Sequence, residues 1–518
     1  MQSTIESRTF KSTISGAILF LVNSLQSILL VPLFLSFWGK EKYGIWLSII
    51  SFISLIKTIE IGHQNYVGNE FNKWFFLDKK AAYKILGASF WISFFLGFFE
   101  FILFTTFLLY CSGFIFGDLS ITHFQDPLLK VSLLFYVFIW SVLGSIGGLL
   151  VRIILPIGLF AKTTNLSIIS KVSELFILLL LVLLKFDLSV VFFGLGVINL
   201  IYSLIVFNYV RKVLPEFYPW WISVDWKLGF RNYLKSVILT LNAFADQFNS
   251  SSIIILINQK LGVLLLPVFT SIRTLTNVVL QVTSMVTNPL SPELIRFHSR
   301  GEKEKLCHVI ETNLFVGGLL VNIPFLLVAP FVEFFFNWWT SGKLEFDYSL
   351  YYVFTVSIVF VNFGRSYLSY LSGINDLANM SLISISRVIV SIGLSLLLMS
   401  RFGLLGIGLA ILASEILSSF VLPVFIVSIK LYASYTYFIN KNLFLSFLQV
   451  LFLSIYYTVY LYIPTLHVLA YIVILPLMFL SSYFQWQLLD AEVQKRLVSV
   501  INEILCIVKI KRRVNEAL

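Results

Sequence analysis

Charge is what this chain has least of. Only 12% of its 518 residues are Asp, Glu, Lys or Arg, where a soluble domain carries about 25%. With a mean hydropathy of +0.92, that shortage excludes a soluble globular protein and leaves an integral membrane protein. Cysteine is nearly absent. Cys111, Cys307 and Cys506 are far apart, odd in number and without a CxxC pair, which excludes a disulfide framework and a cysteine-rich metal site. The five histidines are scattered. No Gly-rich phosphate loop, HExxH pair or nucleophile elbow occurs. Neither nucleotide hydrolysis nor any other enzyme chemistry is expected, and no cofactor. The net charge of +11 is not arranged as a basic stripe interleaved with exposed aromatics, so nucleic acid is not an expected partner. Beside an anionic bilayer, such an excess belongs in basic loops.

What the chain does have is apolar length. Hydrophobic residues make up 58% of it and aromatics 17%, including 52 Phe. Stretches near or above the roughly 20 residues that span a bilayer recur to the end. They fall at 12–38, 43–68, 84–112, 127–150, 164–184, 188–210, 231–258, 262–290, 305–332, 347–372, 376–400, 404–428, 441–462 and 465–489. The first is longer than a signal-peptide core and reads as a retained helix. Alternating segments of about ten residues, the mark of a β-barrel, are missing. The expected fold class is an all-α integral membrane protein of about fourteen transmembrane helices.

The basic residues orient it. Twenty-five Lys and Arg lie in loops on one side, including Lys73, Lys79, Lys80, Lys84, Arg152, Lys162, Arg211, Lys212, Arg300 and Lys303, against six on the other. By the positive-inside rule both termini are cytoplasmic, which requires an even number of helices. The loop "RKVLPEFYPWWISVDWKLGFR" separates helices 1–6 from 7–12, and "LSFWGKEKYG" after helix 1 is echoed by "LINQKLGVLLLP" after helix 7. This suits two parallel six-helix halves. The expected division is 1–210 and 211–430 for the two lobes, 431–489 for helices 13 and 14, and 490–518 for a cytoplasmic tail. The tail's apolar periodicity and basic end fit an amphipathic helix on the leaflet or a partner-binding helix.

Charges inside a bilayer are costly and line cavities or pair with each other. Ten are embedded here: Lys57 and Glu60 in helix 2, Glu100 in helix 3, Lys171 and Glu174 in helix 5, Asp246 in helix 7, Arg273 in helix 8, Arg365 in helix 10, Arg387 in helix 11 and Glu415 in helix 12. Five are basic and five acidic, so the list alone does not name an anionic cargo. Arg273 is roughly 16 Å into its helix, too deep for easy snorkelling. It would grip a phosphate with its planar fork, with Asp246 either pairing with it or carrying a coupling cation. Alternatively, the two form a structural ion pair. Lys171 and Glu174 lie one turn apart and can neutralise each other. Arg365 and Arg387 flank the inner ends of helices 10 and 11, and Arg365 is placed to snorkel. Glu100 and Glu415 stand alone. Lys57, Glu60 and His63 form a ladder from mid-membrane toward the cytoplasmic mouth, with Lys57 a cavity candidate, Glu60 a gate and His63 interfacial.

Two stretches then suggest a family. "LLVPLFLSFWGKEKYGIWLSIISF" at 29–52 and "IEIGHQNYVGNEF" at 59–71 resemble Wzx-type polysaccharide flippases of the MOP superfamily, related to MATE exporters. The shared features are Pro32, Gly39 before Tyr43-Gly44, and the Glu60-Ile61-Gly62 triplet. "TSIRTLTNVVLQVTSMVTNPLSPEL" at 270–294 resembles their helix 8. The motifs cover mainly helices 1–2 and 7–9. The resemblance implies two six-helix lobes around a central cavity plus two C-terminal helices, in the bacterial cytoplasmic (inner) membrane. By alternating access they would flip an undecaprenyl-diphosphate-linked oligosaccharide to the outer leaflet for O-antigen or capsule. Partners would be the lipid-linked oligosaccharide, the bilayer and the polysaccharide polymerase machinery. With no nucleotide motif, the energy source would be an H+ or Na+ gradient, the membrane potential or downstream consumption of cargo. A MATE-like small-molecule exporter, a peptidoglycan-precursor flippase and a membrane polymerase or glycosyltransferase remain alternatives. The short outer loops disfavour the last.

Overall fold

In the computed structural model, residues 2–110, 126–154, 160–287, 294, 297–298, 300–374, 376–432, 441–491, 493–495 and 498 are described. Every described element is helical. With no water in the hydrocarbon, the backbone must satisfy its own hydrogen bonds, and these apolar stretches do so as helices. The first is α1 (Gln2–Phe37), with Pro32 inside it. The second crossing is split in two, α2 (Gly39–Ile56) and α3 (Thr58–Leu77), with Lys57 at the join. Then comes α4 (Lys79–Tyr110). The fourth crossing is α5 (Pro127–Phe138), a π-helical turn at Ile139–Leu143 and α6 (Gly144–Ile153). It is followed by α7 (Phe160–Leu183) and α8 (Leu188–Val213).

The second half begins with α9 (Trp226–Lys260), whose first turn is capped by the Asp225 carboxylate accepting from the Leu228 amide at 3.0 Å. After it come α10 (Leu266–Thr287), α11 (Lys303–Val328), the short α12 (Val332–Trp339) and α13 (Tyr348–Gly373). The next helix, α14 (Leu377–Glu415), is broken at Gly403, where φ is +55°. A π-helical turn at Ile416–Val421 leads into α15 (Leu422–Tyr432). The last two helices are α16 (Lys441–Tyr462) and α17 (His467–Leu488).

Eleven stretches among the described residues are long and apolar enough to span a membrane. One of them, Leu377–Leu431, is 55 residues long and makes two crossings at the Gly403 break. α9 and α13 are long enough but fall outside the eleven; α9 is polar in composition, with Asn232, Ser236, Asn249, Ser251, Ser252 and Asn258 among its buried residues. Counting these two, fourteen crossings result, at the expected places. The loop at 113–126 falls almost wholly outside the described residues, as do the Pro-rich end of helix 8 and most of the tail after Asp490.

The chain packs as two compact units. One comprises Met1–Leu275, Glu333–Leu350 and Ser384–Ala410, the other Thr276–Val332, Tyr351–Ile383 and Ile411–Leu518. In the first, Val67 and Phe71 of α3, Ile85 of α4, Leu149 and Ile153 of α6, Val206 and Val210 of α8, and Phe217 and Trp220 of the following loop form one buried core. α3 and α9 cross so closely that a Cβ on Gly62 would collide with the Thr240 backbone. At the opposite end, Phe34 stacks on Trp38 while Tyr43 and Trp46 pack against them tilted or edge-on, and the Trp339 indole donates to the Ile28 carbonyl at 2.9 Å.

In the second unit, α11, α16 and α17 are joined by buried amides and hydroxyls. Asn322 donates to Gln449 at 2.7 Å. Gln449 in turn donates to Ser481, Ser482 and Gln485 at 3.1 to 3.2 Å, and Gln485 donates to Ser446 at 2.9 Å.

Candidate functional site

A cavity of about 370 Å³ opens within the first unit, in the usual size range for ligand sites. Each wall is one face of a helix at three- or four-residue spacing, the spacing that stacks side chains along a face. α3 and the join before it supply Lys57, Glu60 and Gln64. The fourth crossing supplies Trp140, Gly144, Gly147, Gly148 and Arg152. α7 supplies Thr163, Thr164 and Ser167, and α8 supplies Asn199, Tyr202 and Ser203.

The glycines make the room. The Gln64 amide occupies the space that a Cβ on Gly148 would need, and it donates to the Ser145 carbonyl at 3.3 Å. The π-helical turn carries Trp140 into the wall, a local irregularity of the kind often found at working sites.

The cavity combines charges of both signs, Lys57 and Arg152 with Glu60. The Lys57 ammonium is 5.4 Å from the centre of the Trp140 ring, an attractive cation–π geometry. Glu60 is buried, and Glu100 on α4, also buried, is within electrostatic reach of both Glu60 and Lys57. Neither Glu100 carboxylate oxygen has a hydrogen-bond partner among the described residues. The Cβ–Cδ stem of Arg152 lies beside Gly68, eleven positions along the chain from Lys57, so the two side chains meet the α3 wall about three helical turns apart. Chemically, the cavity offers two cations at different depths, hydroxyl and amide groups between them, and two aromatic faces suited to sugar rings. Among the described residues, no three His, Cys, Asp or Glu side chains converge as metal ligands.

No protein-family model matches the sequence, and no curated protein matches it. Solved structures do. Lipid II flippase MurJ, in an inward closed conformation, matches with a TM-score of 0.59 at 13% identity, over 92% of this chain and 99% of that one. A mutant of the Vibrio cholerae MATE transporter VcmN matches with a TM-score of 0.56 at 14% identity, over 85% of this chain and 99% of that one. An inward-facing multidrug resistance MATE family transporter of the MOP superfamily gives 0.56 at 14% identity, over 77% and 92%. The chain has the fold of the MATE transporters and of MurJ. At these identities the likeness is one of fold.

On this MATE-like fold the remaining expected residues have different neighbours from those the sequence suggested. Asp246 takes Arg387 as its ion-pair partner, at 3.0 Å, and accepts from the Ser384 hydroxyl at 3.2 Å. The expected pairing of Asp246 with Arg273 is thus replaced, because a helix later in the chain packs against the polar face of α9. One turn along, Ser391 bonds Asn249, so the α9–α14 contact is a polar ladder. Arg273 sits half-buried two turns into α10 and interacts with its surroundings; because the helix begins at Leu266, it is roughly 10 Å in rather than the expected 16 Å. Lys171 and Glu174 bond each other at 2.8 Å. Arg365 turns to the Ser284 hydroxyl and the Leu280 carbonyl, which tie it to α10. Glu415 accepts from Ser419 in the π-helical turn.

His63 is the clearest correction. It is fully buried, edge-on to Tyr233 of α9 at 6.0 Å, and is not interfacial. It packs against α9 and is not among the residues that line the cavity; the six-residue step from Lys57 to His63 turns about 240° around a helix. Arg152 is the residue that sequence reasoning missed as a site candidate. Counted among loop cations, it is in fact a cavity wall. The pattern that could have revealed it is the Gly-x-x-Gly-Gly-x-x-x-Arg run at 144–152, a small-residue face ending in a cation.

Proposed function

We propose that this protein is a flippase that moves an undecaprenyl-diphosphate-linked oligosaccharide from the cytoplasmic to the outer leaflet of the bacterial cytoplasmic membrane, with both termini cytoplasmic. The lobes 1–210 and 211–430 would alternate access. A sugar headgroup on a diphosphate cannot cross hydrocarbon unaided. A polar path that opens to one side at a time removes that barrier while the lipid tail stays in the bilayer. The observation that carries the reading is the placing of Lys57 and Arg152 at two depths in one membrane-embedded cavity. Each can hold a phosphate in turn, and Trp140 and Tyr202 can stack on sugar. Arg273 on α10, outside the residues lining that cavity, would be a further cation on the path. The lipid II flippase match, which spans 92% of this chain, supports a lipid-linked cargo. We further propose that Glu60 and Glu100 take up the coupling H+ or Na+, and that the polysaccharide polymerase machinery receives the product.

The buried acids also favour a second reading, a cation-coupled exporter of small molecules. Deletion of the chromosomal gene separates the two. The flippase reading predicts loss of surface polysaccharide and accumulation of lipid-linked units on the cytoplasmic leaflet. Both are restored by the wild-type gene but not by Arg273→Ala at equal protein abundance. Normal surface polysaccharide in the deletion strain, with new sensitivity to cationic drugs, would overturn it in favour of the exporter.

A further inference from the structure

A second concavity, also about 370 Å³, lies at the start of α4, lined by Lys79, Lys80, Tyr83, Lys84, Glu216, Phe217 and Ser223. It shares no residue with the cavity around Lys57. Three lysines occupy the first two turns of α4, where the helix dipole disfavours cations. Among the described residues, only Lys79 is engaged by an acid, Glu216, at 3.4 Å. No hydrogen bond or ion pair occupies the side-chain ammonium of Lys80 or Lys84 among the described residues.

The floor is held firmly. Tyr83 donates its hydroxyl to the Pro219 carbonyl at 2.8 Å and the Trp91 indole donates to the Trp221 carbonyl at 3.0 Å. Phe217 is locked against Phe71, Phe75 and Tyr83, and Gly87 lets the Ser223 carbonyl approach α4 at a distance no side chain would permit. The loop 214–225 is therefore a fixed wall.

Immediately beyond it, the surface turns apolar. Trp226, Phe95, Ile222 and Val224 are exposed, and Trp226 packs its ring against Trp91 and Phe95 at 6.4 and 5.9 Å. A basic pocket bordered on one side by exposed aromatic and aliphatic side chains complements an amphiphile whose head is anionic and whose tail is not.

We propose that this pocket is a binding site for an anionic glycerophospholipid. Lys80 and Lys84 hold its phosphate, and its acyl chains lie along the Phe95–Trp226 face. The charge of the pocket selects an acidic headgroup over a zwitterionic one. The aromatic border selects a lipid over free phosphate.

The test is lipid binding to the full-length purified protein, followed by native mass spectrometry in detergent. The probes are phosphatidylglycerol, phosphatidylethanolamine and inorganic phosphate. The wild type is expected to retain phosphatidylglycerol and neither of the others. At about five-fold per surface cation, the double substitution Lys80→Gln and Lys84→Gln is expected to weaken retention roughly 25-fold. Arginine at both positions is expected to restore it. The same change at Lys303 and Lys305, in the basic first turn of α11, is expected to leave it unaltered. Unchanged retention by the glutamine variant, equal loss from the Lys303/Lys305 variant, or binding of inorganic phosphate as tight as that of the lipid would each overturn the proposal. A glutamine variant that fails to fold is recognised by loss of monodispersity, and single substitutions at Lys80 and Lys84 then carry the test.

Discussion

Lys57 is the residue on which the cargo reading rests most directly. It sits where the second crossing breaks, at the rim of the cavity, with its ammonium over Trp140. If it holds a phosphate in transit, Lys57→Ala is expected to cut transport at least about ten-fold, since a hydrogen bond to a charged group contributes roughly 1.5–3 kcal/mol. Lys57→Arg is expected to keep most of it. Transport equal to wild type in the alanine variant, measured at matched abundance, would remove Lys57 from the path. Asp246 poses a different question, because its partner is now known to be Arg387. The pair is half open to its surroundings, with side-chain exposures of 53% for Asp246 and 17% for Arg387, and such pairs stabilise by no more than about 1 kcal/mol. A purely structural role predicts a small loss of thermal stability in Asp246→Asn and normal transport. A coupling role predicts normal stability and a transport loss of about ten-fold or more. We expect the first result, since the coupling ion is assigned to Glu60 and Glu100, and a ten-fold transport loss at normal stability would contradict it.

At the scale of elements, the helices were legible and their irregularities were not. An apolar run of twenty or more residues can do little else in a bilayer than form a helix, so all fourteen crossings appear where length and composition put them. The tight join expected at 400–404 is the Gly403 break, where a positive φ suits glycine. The split at Lys57 has no glycine or proline at the break itself to announce it, and the two π-helical turns likewise lack a sequence signature. These irregularities help place Lys57, Trp140 and Glu415. Contacts between helices distant in sequence were equally hidden, and this is why Asp246–Arg387 and the burial of His63 emerge only from packing. The buried amide network on α16 allows an element-scale prediction. Gln449→Leu keeps the volume but strips the partner from Asn322 and removes the donor that Ser481, Ser482 and Gln485 accept from. The expected cost is about 1–3 kcal/mol, read as a lower melting temperature of the purified protein. A melting temperature at or above wild type would mean that the network does not hold helices 13 and 14 in place.

The whole molecule is a multi-pass membrane protein with an even number of crossings and a strong asymmetry of basic loops, and this makes its orientation testable. A reporter fused after Leu518 should read cytoplasmic, as should one inserted at Lys212; a periplasmic signal from either would invert the path proposed for the cargo. The direction of transport follows from that orientation, since lipid-linked sugars are assembled where nucleotide sugars are found. The measurement that tests the central claim most directly is reconstitution. The purified protein would be placed in liposomes carrying a fluorescent undecaprenyl-diphosphate oligosaccharide in both leaflets, and a membrane-impermeant quencher or glycosidase added outside. The account predicts that the protein makes the inner-leaflet pool accessible, so that the signal falls beyond the roughly half expected from the outer leaflet alone, and that Lys57→Ala and Arg273→Ala leave it near one half. A plateau at one half with the wild-type protein, under an imposed H+ or Na+ gradient of either sign, would contradict it.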